Sequence, residues 1–474
     1  MAGVPPVLPA DITVAATLNP RRELGFWGAL SANMLNMVGI GPFITIPLAL
    51  GAMGGPQALI GWILGAIISL SDGFVWAELG AAMPHSGGSY QYLRRLFDEK
   101  KLGNMFGFLF LWQSLMNGPL NVAAGAVGFV SYLSYLFPQL KATTLTLSAA
   151  ALCLLNTWLL YRNIRKIQII SLITTGIVVA SLLWIIFAGM THFDARIAFD
   201  FPPGAFNMTT GFLMGLGSTT LIAVYDYGGY SNVCMLAGEV KQPRKVIPRS
   251  ILWAIVLIAL LYCGLNLSIL GVVPWREAMV SKAVVADFMA HLYGRTGGII
   301  VAILIMIAGW GSAYVVLLGY SRIPYAAALE GKFFKIFAAV HPKGHFPTVS
   351  LIVMGVASAI ACFLSLNALI SVLIVVQTLF QYSFQCLAVI FRRKQLQEQF
   401  QQDYHLSGTD PGAKPYKMPL FPIPALISLA GWIYIVTTSK LIYIVMGMGL
   451  FAVGAAIFLG LAFHQKDWPF EVKS

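Results

Sequence analysis

The chain has 474 residues, of which 58% are apolar and 10% are charged, whereas a soluble domain carries about 25% charged residues. With a mean hydropathy of +0.78, this composition excludes a soluble globular enzyme and a disordered chain, since neither holds so much apolar surface in water. The formal net charge is +12 and the pI is near 9.4. In a soluble protein that balance would point to nucleic acid; in a polytopic membrane protein it points to basic cytoplasmic loops.

In chain order, residues 1–20 are rich in Pro and Ala and read as a disordered cytoplasmic tail. Twelve apolar stretches follow, at 24–50, 56–82, 104–137, 143–161, 167–190, 209–238, 250–273, 298–321, 346–364, 367–391, 420–439 and 441–463. A membrane-spanning helix needs about 20 mostly apolar residues. Several of these stretches exceed a straight crossing, so tilts or breaks are expected. The short alternating segments of a membrane β-barrel are absent. The first stretch is too long for a signal-peptide core and lacks a clear cleavage site, so it counts as a span. The expected fold is all-α, with 12 transmembrane helices: a ten-helix core over 21–391, a cytoplasmic loop at 392–419, two accessory helices over 420–464 and a cytoplasmic tail at 465–474.

Twelve crossings put both termini on one side. With the N-terminus inside, 24 of the 30 Lys and Arg residues fall on cytoplasmic loops. That bias orients the chain with both termini cytoplasmic, in a plasma membrane or bacterial inner membrane. The basic excess then needs no nucleic-acid partner; the partners expected are a small solute, a coupling ion and membrane lipid.

All five cysteines (Cys153, Cys234, Cys263, Cys362, Cys386) lie in apolar stretches, with no C-x-x-C pair. They read as small core residues. His341 and His345 have i, i+4 spacing, but Pro342 and Gly344 break any helix there, so no metal site is expected. No phosphate-cradling G-x-x-x-x-G-K motif occurs. No cofactor is expected.

Two stretches carry helix breakers in their interiors. Residues 38–47 read V-G-I-G-P-F-I-T-I-P, and residues 225–230 read Y-D-Y-G-G-Y. Glycine is a poor helix former, and proline lacks the N–H of the i→i−4 bond. A broken helix is tolerated in lipid only around a cavity or site. The breaks fall in the first and sixth stretches, at corresponding places in two five-helix halves. Paired interruptions of this kind point to a transporter built from inverted repeats. Free amides at a break suit a carboxylate, and freed carbonyls suit an ammonium group or a cation. Gly61 and Gly65, in G-W-I-L-G, read instead as helix-packing residues.

Ten of the twelve stretches contain no Asp, Glu, Lys or Arg. Asp226 is the one charge in either broken stretch, and an intramembrane carboxylate is a functional candidate by default. It can receive a substrate ammonium, carry a coupling proton or bind a cation. Asp72 and Glu78, in the second stretch, read as structural ion-pair or hydrogen-bond partners, and Glu239 as a loop ion pair or cytoplasmic gate contact. Tyr225, Tyr227 and Tyr230 flank the second break as a lid and wall, or as ordinary packing aromatics.

These motifs resemble the amino acid–polyamine–organocation superfamily, specifically the amino-acid permeases related to the L-type exchangers. The likeness runs from about Leu24 to about Asn367. It is carried by G-I-G-P-F at 39–43, A-E-L-G-A-A-M-P-H-S-G-G-S-Y-Q-Y-L at 77–93, Y-D-Y-G-G-Y-S-N at 225–232, L-A-G-E-V-K-Q-P at 236–243 and S-R-I-P-Y-A-A-A-L-E-G at 321–331. The resemblance implies a five-plus-five inverted repeat of the leucine-transporter type with two extra helices, and alternating access around a midplane site. It implies that backbone groups near Gly39, Ile40 and Gly41 hold a substrate carboxylate. It also implies that the second break, at Tyr225, Asp226, Tyr227, Gly228, Gly229 and Tyr230, holds the amino group, with Tyr225 where the gating aromatic stands and Tyr230 as a second gate.

Three departures from the family pattern stand out. Ile40 replaces a common Ser and Pro42 replaces an amide donor, a version similar to plant-type polyamine uptake carriers. Asp226 replaces a small residue, which suits a cationic substrate. Thr175 stands where several proton-coupled relatives have a Lys, leaving Asp226, or a sodium ion near Thr175 and Ser312, as the coupling candidates. The expected function is secondary active transport of amino acids, by proton-coupled symport or exchange, and not enzymatic. The alternatives are uptake of polyamines or cationic amino acids and, in another class, a nutrient sensor with a transporter fold.

Overall fold

The computed structural model describes residues 22–469 except 85–86, 99–100, 163–166, 330, 332, 342–346, 399–400, 402–415 and 466–467. The backbone alone is described at 162, 167–172, 175 and 465. The 1–20 tail, most of the 392–419 loop and His345 therefore lie outside the described residues.

Helices occur in all twelve predicted stretches. In chain order they are α1 (Phe26–Met37), α2 (Gly41–Ile44), α3 (Ile46–Met53), α4 (Leu59–Ala82), α5 (Ser89–Leu96), α6 (Leu102–Leu136), α7 (Ala142–Arg162), α8 (Ile167–Thr191) and α9 (Thr210–Tyr227). Then come α10 (Asn232–Met235), α11 (Pro243–Leu270), α12 (Val284–Leu329), α13 (Thr348–Ala361), α14 (Leu366–Gln377), α15 (Ser383–Phe391), α16 (Ile423–Thr437) and α17 (Leu441–Gln465). Among the described residues, seven helices are long and apolar enough to cross a membrane, and eight if the bent pair Phe26–Ile44 and Ile46–Met53 counts as one crossing. Among the described residues, β pairing is limited to two isolated bridges, Leu24 with Val240 and Val340 with Pro347. The fold is that of an all-α polytopic membrane protein.

Local chemistry sets several boundaries. The Thr209 hydroxyl accepts the Phe212 amide at 3.2 Å and starts α9, and the Ser365 hydroxyl accepts the Ala368 amide at 3.2 Å and starts α14. Helix α12 starts before its predicted span and is interrupted at Tyr293 and Gly294, where Gly294 takes a φ of +70°. A π-helical turn over Thr378–Tyr382 joins α14 to α15.

Within lipid, helices associate through close packing of small residues. A methyl group on Gly65 would lie 2.7 Å from the Ala223 Cβ, and one on Gly61 would strike Thr219. Both are packing positions that let α4 lie against α9. Trp62, Tyr227 and Tyr262 form a fully buried aromatic cluster at the same seam, with Tyr227 stacked on Tyr262 at 5.7 Å and edge-on to Trp62 at 6.0 Å. By contrast, α17 is largely unburied by protein. At the end of α4, the Glu78 carboxylate pairs with Arg393 at 2.7 and 3.3 Å and accepts the Met418 amide at 3.1 Å. The Arg393 guanidinium lies 3.9 Å from the Phe421 ring centroid. Glu78 thus anchors both flanks of the 392–419 loop.

Candidate functional site

The first break is wider than the G-I-G-P motif. Helix α1 stops at Met37, Val38 leaves helical geometry (φ −86°, ψ 84°), and α2 restarts at Gly41. Pro42 occupies the first turn of α2, where its fixed φ fits and its missing N–H breaks no intrahelical bond. A second bend follows at Thr45, and the segments on either side meet at 58°. Among the described residues, the Ile40 and Gly41 amides have no backbone acceptor. Two freed carbonyls are already engaged: the Tyr262 hydroxyl donates to Met37 O at 2.8 Å, and the Tyr132 hydroxyl donates to Phe43 O at 2.7 Å.

The second break falls at the predicted glycines. Helix α9 ends at Tyr227, and Gly228 turns extended (φ −57°, ψ 150°). Gly229 takes a φ of +108°, a conformation that L side chains rarely adopt.

The halves of the two broken stretches are knitted in crossed pairs. On one side of the breaks, α1 holds the chain after the second break. The Asn33 side chain accepts the Val233 amide at 2.8 Å, Asn232 donates to Ala32 O at 3.2 Å, and Asn36 donates to Gly229 O at 3.4 Å. On the other side, α3 and its approach hold α9: Thr219 donates to Ala49 O at 3.2 Å, and the Thr45 hydroxyl donates to Asp226 Oδ2 at 2.5 Å.

Asp226 is therefore the point where the breaks meet. It is 3% exposed. Its Oδ1 has no hydrogen-bond partner among the described residues and is aimed so closely at Gly41 that any Cβ there would collide with it. The Tyr225 ring lies 3.5 Å from the same point. A buried carboxylate oxygen without a donor is costly, so a proton, a cation or an ammonium group would stabilise it. The nearby free amides of Ile40 and Gly41 suit the opposite charge.

The remaining predicted residues separate into two groups. Ser312 belongs with the first break: its hydroxyl would lie 3.3 Å from a methyl on Gly39. A methyl on the adjacent Gly311 would collide with Thr174, so α8 and α12 meet there. The side chain of Thr175 lies outside the described residues. Tyr227 and Tyr230 face other helices. The Tyr227 hydroxyl donates to Trp62 O at 3.3 Å, and the Tyr230 hydroxyl donates to Asp72 Oδ2 at 2.7 Å. The residues not anticipated from sequence are Thr45, Tyr132, Tyr262, the two asparagines of α1, Asn33 and Asn36, and Asn232 on α10. Each is a polar side chain inside an apolar stretch, which is the signal that could have flagged it. Glu239 contributes through its backbone, its carbonyl accepting the Glu23 and Leu24 amides at 2.9 and 3.0 Å.

Comparison with known proteins gives the family. The family model described as amino acid permease matches residues 24–462, and the chain belongs to that family. It is similar to the serine/threonine exchanger SteT of Bacillus subtilis, with 24% identity over 450 residues covering 93% of this chain and 95% of the exchanger. It is also similar to two mouse proteins: large neutral amino acids transporter small subunit 2, 29% identical over 341 residues, and cationic amino acid transporter 4, 28% identical over 389 residues. These matches cover 70% and 76% of this chain, but only 63% and 58% of the mouse proteins' length. The family and these relatives are transporters, not enzymes.

Proposed function

We propose that the chain is a secondary transporter of small neutral amino acids that works by alternating access between the two broken helices. One observation carries the reading: the unpartnered Oδ1 of Asp226 lies against Gly41, whose amide and that of Ile40 have no backbone acceptor among the described residues. An α-amino acid presents an ammonium and a carboxylate on adjacent atoms, matching that pair of opposite polarities. In this reading Gly39, Ile40 and Gly41 take the carboxylate. Asp226 and the carbonyls near Tyr225 take the ammonium, Gly228 and Gly229 give the second half of the sixth helix its freedom, and Tyr225 closes over the substrate. The long coverage of the serine/threonine exchanger supports a small neutral side chain and an exchange mode.

Coupling by a proton on Asp226 fits a buried carboxylate with one open oxygen. A sodium ion near Ser312 and Thr175 is the alternative carrier. The plasma membrane, with both termini cytoplasmic, is the location that the loop charges support. The site is assigned to the ten-helix core of 21–391, with 420–464 as accessory helices.

A second reading, uptake of cationic amino acids or polyamines, draws on Asp226 itself and on the likeness to cationic amino acid transporter 4. Counter-transport in proteoliposomes separates the two. With labelled L-serine inside, external L-serine or L-alanine should drive its release, and L-arginine and putrescine should not. Release by putrescine alone would remove the carboxylate clamp.

A further inference from the structure

We infer that Asp72 is a positioning residue for transport: through the Tyr230 hydroxyl it latches the chain beyond the second break to the α4 face, and release of this latch accompanies each conformational cycle. Asp72 is fully buried within α4. Four neutral donors converge on it. The Tyr230 hydroxyl reaches Oδ2 at 2.7 Å, while Ser428, Trp432 and the weak donor Cys386 reach Oδ1 at 3.1, 3.3 and 3.7 Å. Three of the four come from α15 and α16, and the Tyr382 ring stacks on Trp432 at 4.5 Å to close the cluster. The set fits a carboxylate, which accepts at about four positions.

The two oxygens are engaged unequally. Oδ1 is held by donors on helices packed directly around α4. Oδ2 is described with one donor, and that donor is the first side chain after Gly229, whose φ of +108° marks the hinge. Beyond the hinge, the chain is bound to α1 through Asn33, Asn36 and Asn232, so α1 and residues 230–235 form one body. Among the described residues, Tyr230 to Asp72 is the side-chain hydrogen bond that joins this body to α4. The body is also bonded to α11, through the Tyr262 hydroxyl on Met37 O, and to α5, through Tyr92 and Cys234, but its α4 face hangs on the Tyr230 bond, so loss of that bond frees this face to move about the other contacts. Simple helix packing would be served as well by an apolar residue, without the desolvation cost of a carboxylate.

The inference rests on the reading of the broken helices as moving parts, so its test pairs a dynamic readout with a transport readout. Purified protein in lipid nanodiscs is followed by amide hydrogen exchange over residues 231–239, and the same variants are assayed for L-serine exchange in proteoliposomes. Asp72→Asn and Tyr230→Phe should each speed amide exchange about tenfold, the size expected for losing a hydrogen bond to a charged acceptor. Each should change the maximal transport rate per folded molecule by at least threefold, with KM within twofold of the parent. The double variant should match Asp72→Asn alone. Ser428→Ala, which spares the Tyr230 contact, should leave amide exchange over 231–239 unchanged. If Asp72→Asn does not fold, Tyr230→Phe against Ser428→Ala carries the comparison. Unchanged protection in Tyr230→Phe, or a double variant whose effect is the product of the singles, would overturn the inference. If the parent protein does not carry L-serine, the proposed substrate class fails, and the amide-exchange arm still decides the latch.

Discussion

The Asp226 carboxylate and the Gly41 Cα are in contact across the two helix breaks, with Thr45 on one carboxylate oxygen and no donor on the other. Residues 185 positions apart in sequence thus meet at the one charge in either broken stretch.

Gly41→Ala tests that contact. Position 41 has ordinary helical geometry, so alanine is tolerated by the backbone, but its methyl collides with Asp226 Oδ1. Overpacking of this kind costs about 1–3 kcal/mol. The variant should reach the membrane and lose transport at least tenfold in an uptake assay, while Gly449→Ala, within α17 and with no atom near its Cβ, should keep the site contacts intact.

Thr45→Val removes the hydroxyl that donates to Asp226 and nearly preserves volume. Leaving the carboxylate without its donor should cost about 1–3 kcal/mol. A lower thermal midpoint together with weaker transport is the expected outcome. Wild-type values for both would show that Thr45 is a bystander.

Asp226→Asn keeps the shape and removes the ionisable group. If Asp226 carries the coupling proton, uptake driven by an imposed pH gradient should vanish, while exchange of amino acid for amino acid persists in part. Uptake that follows the gradient unchanged would remove Asp226 from coupling. Repeating the assay with and without sodium tests the alternative at Ser312 and Thr175.

Much of this site was legible in the chain because its breakers are chemically loud. Gly228 and Gly229 are adjacent poor helix formers, and Asp226 stands out against an otherwise uncharged stretch. The extent of the first break was less legible. The sequence marks a break within 38–47, with Gly39, Gly41 and Pro42 as its breakers; the structure puts Pro42 in the first turn of a new helix and narrows the irregular backbone to 38–40, with a second bend at Thr45. Proline fits a helix start better than a helix interior, so the break precedes it. The partners of Asp72 were not legible at all. Cys386, Ser428 and Trp432 lie more than 300 positions away, and only tertiary packing brings their donors to α4. Tyr227 and Tyr230 are alike on paper, yet one joins an aromatic cluster and the other meets a carboxylate.

At the loop flanks, Glu78 is 3% exposed and Arg393 20% exposed, so their pair is largely desolvated. Removing one partner leaves the other charge buried and costs about 3 kcal/mol. Arg393→Gln should therefore lower the thermal midpoint more than the double variant Glu78→Gln with Arg393→Gln. Equal losses in both would mean that the pair contributes little beyond packing.

In the proposed mode of binding an amino acid bridges the two breaks, carboxylate to the first and ammonium to Asp226. Scintillation-proximity binding of labelled L-serine to the purified protein tests it most directly, with L-serine, its methyl ester, ethanolamine and putrescine as competitors. L-serine should displace the label, while the methyl ester and ethanolamine, which keep the amine and lack the carboxylate, should compete at least a hundredfold more weakly. Displacement by ethanolamine or putrescine as effective as by L-serine would rule out a carboxylate site at the first break.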